Sequence, residues 1–146
     1  MGLSIDIIRD KVELKGTAYV EIYPGRNKNQ FWNEESIFFN EESFGFVEKT
    51  IANNFEGYDH YDMMEVPVES WKIILKDLEG LSQRISTATS AKDFRSDVYF
   101  FFKSTESEFS ANFEQNKVRL VSLLNEFCTW VSLKLKETDV ISVLGL

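Results

Sequence analysis

One cysteine, Cys128, and one histidine, His60, are all the chain has of either residue. A single cysteine leaves no internal disulfide and gives no sign of an oxidising compartment. A zinc site built from several cysteines or histidines is excluded, as is any mechanism needing two histidines. A Ser-His-Asp site would have to run through His60, and a Cys-His site through Cys128 with His60. Proline occurs twice and glycine seven times in 146 residues, so no long flexible linker is expected. The glycines form no Gly-x-Gly-x-x-Gly or Walker pattern; Gly25, Gly57 and Gly80 stand alone, and no phosphate cradle is expected. The longest apolar runs, such as Val98-Tyr99-Phe100-Phe101-Phe102, fall far short of the ~20 residues of a membrane helix. Met1 to Asp6 has no basic stretch leading into an apolar run, so it does not read as a secretory signal. Asp6 also stands where a myristoylation signal has Ser or Thr. These absences lead us to expect a cytoplasmic chain without a membrane partner, without a cofactor or metal, and without catalytic residues.

Acidic charge is the main bulk property: 24 Asp and Glu against 16 Lys and Arg, a net charge of −8. The excess is localised. Residues 34–69 hold ten acids (Glu34, Glu35, Glu41, Glu42, Glu48, Glu56, Asp59, Asp62, Glu65 and Glu69) and one base, Lys49, which leaves the remainder near neutrality. A nucleic-acid binder carries a basic footprint, so direct binding of DNA or RNA is not expected. The length suits one domain, residues 1–146. The charged and apolar shares, 27% and 43%, are those of a chain that buries a core.

Periodicity predicts the elements. Val12 to Tyr23 reads as strand, with Ala18, Val20 and Ile22 alternating with Tyr19, Glu21 and Tyr23; Lys15-Gly16 would turn a hairpin. Leu3 to Ile7 would form a short strand, Arg26 to Gln30 a loop, and Ile37 to Phe39 a second strand. Asn40 has the character of a helix cap, with Glu41 and Glu42 in the first turn, where the helix dipole favours acids. Phe44, Val47, Ile51 and Phe55 share a helix face, Gly45 weakens it by ~1 kcal/mol relative to alanine, and Gly57 lies near its stop. Tyr58 to Glu65 reads as a loop leading into a short strand. Pro67 would open a helix carrying Trp71, Ile74, Leu75, Leu78, Leu81 and Ile85, followed by a loop over Ser86 to Lys92. Val98 to Phe102 would be a buried central strand paired in a hairpin with Phe109 to Phe113. A helix from about Gln115 to Lys136, striped by Val121, Leu124, Cys128, Val131 and Leu135, precedes a strand from Val140 to Leu144. The order lacks βαβ alternation. It predicts an α+β fold, an antiparallel or mixed sheet with about three helices on one face.

Asp59-His60-Tyr61-Asp62, with Glu65, is where a metal or a general base could be assembled, which keeps a small metal-dependent hydrolase among the alternatives. Its spacing matches no ligand motif, and an acidic aromatic loop accounts for it. The Glu34-Glu35 and Glu41-Glu42 pairs read as solvated acids, and Cys128 as a buried thiol on a helix stripe. Residues 31–61 hold nine of the 21 aromatics and overlap the acidic window. Aromatic anchors ringed by carboxylates are what a protein needs to hold a basic partner: rings supply buried area, acids steer encounter.

The last third, read as Asp97–Phe102 strand, Phe109–Phe113, a long helix with Leu123-Leu124, Phe127 and Trp130, and a final Val140–Leu146, resembles bacterial toxin-immunity proteins of contact-dependent growth inhibition and related polymorphic-toxin systems. The resemblance covers the last 50 of 146 residues and is one of element order, without a diagnostic motif. It implies a small, cytoplasmic, non-enzymatic protein that binds one cognate toxin domain. Many such toxins are nucleases, whose basic surface an acidic protein can occupy as a phosphate mimic. The expected contact set is Trp32, Glu34, Glu35, Glu41, Glu42, Tyr58, Asp59, His60, Asp62 and Glu65. An acidic adaptor or structural subunit binding another basic partner would present the same surface.

Overall fold

In the computed structural model, which describes residues 3–16 and 18–145, four strands form one antiparallel sheet in the order β2-β1-β4-β3. Strand β1 spans Tyr19–Tyr23, β2 Ile37–Asn40, β3 Met63–Pro67 and β4 Val140–Leu144. Helices α1 (Glu41–Asn53), α2 (Val68–Thr87), α3 (Thr105–Ala111) and α4 (Phe113–Lys134) complete an α+β fold. The C-terminal strand β4 is central, and all five of its residues are buried between β1 and β3.

The register sorts the strands into two faces. Val20 lies opposite Phe39, Ile22 opposite Ile37 and Val143, and Met64 and Val66 opposite Val143 and Ile141. These side chains join one core with Trp71, Ile74, Leu78, Leu81 and Ile85 of α2 and Leu120, Leu124, Phe127 and Val131 of α4. Phe127 stacks edge-on against both Phe39 at 5.3 Å and Trp71 at 6.0 Å, tying α4 to β2 and α2. Trp71 Nε1 donates to the Ile141 carbonyl at 3.1 Å, so the indole satisfies its own polar atom while filling the core.

The other face is closed by the segment after β1. Glu21 is 1% exposed. Its carboxylate accepts from Trp32 N at 2.6 Å, Asn33 N and Asn33 Nδ2 at 2.9 Å each, and Ser36 Oγ at 2.5 Å. Four donors satisfy this one buried side chain. They also fix Trp32 at φ +60°, a conformation a bulky residue rarely adopts.

Several expectations need correction. The strand starts at Tyr19, not Val12: Asp10 caps a 3-10 turn over Lys11–Glu13, Val12 is exposed, and Tyr19 Oη bonds back to Lys15, so no hairpin forms at Lys15-Gly16. Leu3 to Ile7 is not strand. Ile5 is buried in the core, Ser4 and Asp6 bond to the start of α1, and the segment's ladder contact is a bridge between Ile8 and Phe38. Val98 to Phe102 is not a central strand and Phe109 to Phe113 is not its partner. The first lies in extended coil across α1, where Tyr99 N donates to the Gly45 carbonyl at 2.9 Å. The second spans α3 and the start of α4. Phe109 and Phe113, four apart, satisfy period 2 and period 3.6 alike, and both rings pack on Phe94 as helix residues. Two of the elements behind the family resemblance are therefore formed differently.

Candidate functional site

Asn40 ends β2 and caps α1, its Oδ1 accepting from Ser43 N at 2.8 Å. This places Glu41 and Glu42 in the first turn and Glu48 two turns along from Glu41, on the same face. Gly57, at φ +82°, turns the chain after the helix so that residues 58–62 run back along that face. His60 then spans both carboxylates: Nε2 meets Glu41 Oε2 at 3.1 Å, and Nδ1 makes a short contact with Glu48 Oε2. Tyr58 Oη donates to the same Glu48 oxygen at 2.8 Å. Asp59 Oδ1 accepts from Tyr61 N at 2.9 Å, holding the loop tip. The end of the chain supports the loop from beneath: Gly145 N donates to the Asp62 carbonyl at 2.9 Å, and a Cβ at Gly145 would fall 2.3 Å from the His60 carbonyl.

Burial pulls the His60 imidazole pKa down, but the hydrogen bonds and charges of Glu48 and Glu41 together outweigh it and hold it above the usual ~6.5. The Tyr58 phenol is raised by burial first and then by its bond to Glu48, so it stays protonated.

The displaced 98–102 segment forms the opposite wall. A Cβ at Gly45 would lie 2.4 Å from the Tyr99 carbonyl, so only glycine lets this backbone cross α1 so closely. Phe100 turns inward against Phe46 and Phe94, while Tyr99, Phe101 and Phe102 turn out at 45%, 40% and 53% exposure. Tyr61 faces them across the gap at 72% exposure, its ring edge-on to His60 at 4.8 Å. The space between these walls is a cleft of about 490 Å³ floored by Glu48 and Ala52. A larger groove of about 570 Å³ runs along α4 past Val118, Trp130 and Leu133; the Arg9–Glu126 ion pair at 2.9 Å supplies its charged groups.

The expected contact residues divide between these surroundings. Tyr58 and His60 line the cleft, Glu41 joins them through its contact with His60, and Asp59 and Asp62 belong to the same loop. Glu42 points to the side of it, accepting from Ser4 N and Thr105 Oγ1 at 2.9 Å each; Thr105 Oγ1 also accepts from Phe102 N, so Glu42 braces the aromatic wall. Glu65 accepts from Asn27 N at 2.8 Å and pairs with Arg26 at 3.5 Å on the outer strand β3. Trp32, Glu34 and Glu35 are exposed on the loop that closes the far face of the sheet, with Glu34 3.7 Å from Lys11. Among the described residues, no hydrogen bond or ion pair joins that loop to the His60 group.

Sequence reasoning missed Glu48 as the cleft's floor and Tyr99, Phe100 and Phe101 as its wall. Gly45 was the available signal: a glycine inside an apolar helix stripe marks a close backbone approach, although it does not name the segment that approaches.

Among the described residues, no group of three or more His, Cys, Asp or Glu is placed to hold a metal ion, and no helix is long and apolar enough to cross a membrane. Compared with protein-family models, curated proteins and solved structures, the chain matches none.

Proposed function

We propose that the chain is a non-enzymatic immunity protein, which binds a cognate basic toxin domain and neutralises it in the cytoplasm. A nuclease is the toxin class that the charge fits. The observation carrying this reading is the gathering of exposed Tyr61, Tyr99 and Phe101, with exposed Phe102 next in the chain, at a cleft lined by Glu48 and His60, where Glu41 pairs with His60 and Asp59 and Asp62 lie in the same loop. Single exposed apolar residues need no explanation, but a contiguous patch rimmed by charge is what an interaction surface requires. Each ring offers about 150–250 Å² for burial, and neighbouring carboxylates accelerate encounter with a positive surface. The charge distribution points the same way, since the acidic window includes the α1 and 58–62 segments that build the cleft.

The test is co-expression with the product of the adjacent upstream reading frame, followed by affinity purification. The expected result is a stoichiometric complex whose association slows as salt rises, because exposed charges are screened beyond ~10 Å at 0.1 M. A product that does not co-purify contradicts the reading.

A further inference from the structure

The cleft beside His60 has walls and floor of complementary chemistry. The Glu48 side chain is 9% exposed and lines it. Among the described residues, both contacts accepted by its carboxylate, from Tyr58 and from His60, arrive at Oε2, and Oε1 receives none. Since no buried side-chain oxygen among the described residues lacks a partner, Oε1 opens to the cleft's solvent, an acceptor free to take a charge-assisted hydrogen bond from a cation. Tyr61, Tyr99 and Phe101 line the same cleft. Tyr99 already attracts a cation of the chain's own, with Lys49 Nζ 5.5 Å from its ring centroid. Glu41, Glu48, Asp59 and Asp62 outnumber Lys49 and His60, so the local balance is negative whether or not the imidazole carries its proton. Between the two cationic side chains, arginine fits better. Its planar, weakly hydrated group stacks on rings and donates to a carboxylate at once, whereas an ammonium holds its water.

We propose that this cleft receives an arginine side chain of the basic partner, with the guanidinium donating to Glu48 Oε1 and stacked on Tyr61, Tyr99 and Phe101. The identity of the partner rests on the immunity reading; the cleft's chemistry does not. The probe is therefore acetyl-arginine-N-methylamide, titrated into the ¹⁵N-labelled full chain, with the lysine analogue as control. Saturable shifts are expected at Glu48, at residues 58–61 and at 99–101, stronger for arginine than for lysine. Glu48→Gln should weaken binding about tenfold, the loss of one charge-assisted hydrogen bond. Lys49→Met should strengthen it by removing a competing cation. Because Glu48 also holds Tyr58 and His60, the surface variant Phe101→Ser serves as a second test and should weaken binding with the fold intact. Equal response to lysine, shifts confined to the α4 groove, or affinity unchanged in both Glu48→Gln and Phe101→Ser overturns the inference. If arginine binds as expected but no toxin complex forms, the cleft assignment is supported and the immunity reading fails. A toxin complex of undiminished affinity in both variants has the opposite meaning.

Discussion

Replacing Gly45 with alanine sets two magnitudes against each other. In an open helix the change stabilises by ~1 kcal/mol, because glycine loses more backbone freedom on folding. At this position the new Cβ would sit 2.4 Å from the Tyr99 carbonyl, roughly 1 Å inside a normal contact, and the obstacle is backbone. Relief requires the 98–102 segment to lift, which breaks the 2.9 Å bond from Tyr99 N to the Gly45 carbonyl and loosens Phe100 from Phe46. The hydrogen bond contributes about 1 kcal/mol and overpacking costs about 1–3 kcal/mol. The net expectation is destabilisation by about 1–3 kcal/mol. Gly80 of α2 supplies the control: its Cβ would meet only the Arg84 guanidinium at 3.6 Å, an ordinary contact with a flexible side chain. Gly80→Ala should therefore stabilise by ~1 kcal/mol. Urea titrations of both variants read the two signs directly, and melting temperatures should move in opposite directions by roughly 2–4 °C per kcal/mol. If Gly45→Ala stabilised the protein as Gly80→Ala does, the 98–102 segment would not cross α1 as described, and the cleft would lose a wall.

Other predictions address the buried charge, the histidine and the thiol. Glu21→Gln should cost about 2–4 kcal/mol in urea denaturation, because an amide nitrogen would face donors that the carboxylate now accepts, and near-UV circular dichroism should report release of Trp32. Since the His60 pKa is raised in the folded state, its stabilisation is complete below about 6.5 and is lost as pH rises through the higher folded value; His60→Gln should flatten that stretch of a stability–pH curve. The Cys128 thiol is pushed up to about 11 by burial first and then by Glu79, so at pH 8 its thiolate fraction should be about a hundredfold below that of the unfolded chain. A disulfide reagent should therefore label it slowly until denaturant is added, and rapid labelling of the folded chain would contradict this.

The strongest local signals lead directly to the elements they mark. Trp71, Ile74, Leu78, Leu81 and Ile85 keep helical spacing over a span long enough to exclude a strand, and their burial follows. Asn40 before two acids gives the start of α1 to the residue, because the cap is a local hydrogen bond. Val140 to Leu144 is legible as strand but not as an inner one, since strand order depends on where distant elements dock. The Val98–Phe102 run misleads for a related reason: uninterrupted apolar residues carry no period, and nothing local says that Phe100 turns in while its neighbours turn out. At the site, the loop of Tyr58, Asp59, His60 and Asp62 was legible as an acidic aromatic cluster. Its engagement with Glu41 and Glu48 was not, because that contact joins residues 12 and 19 apart through a turn at Gly57. Trp32, Glu34 and Glu35 shared composition with the cluster but lie on the opposite face of the sheet.

Growth rescue tests the central claim most directly. The product of the adjacent upstream reading frame is expressed alone, with this chain, and with its Tyr61→Ser/Phe101→Ser variant, whose folding is checked by circular dichroism and thermal melting because Phe101 also packs on Phe102. The account predicts arrest when the product is alone, growth with the unaltered chain, and arrest again with the equally folded variant. Harmlessness of the product when alone, or full rescue by the variant, would contradict it.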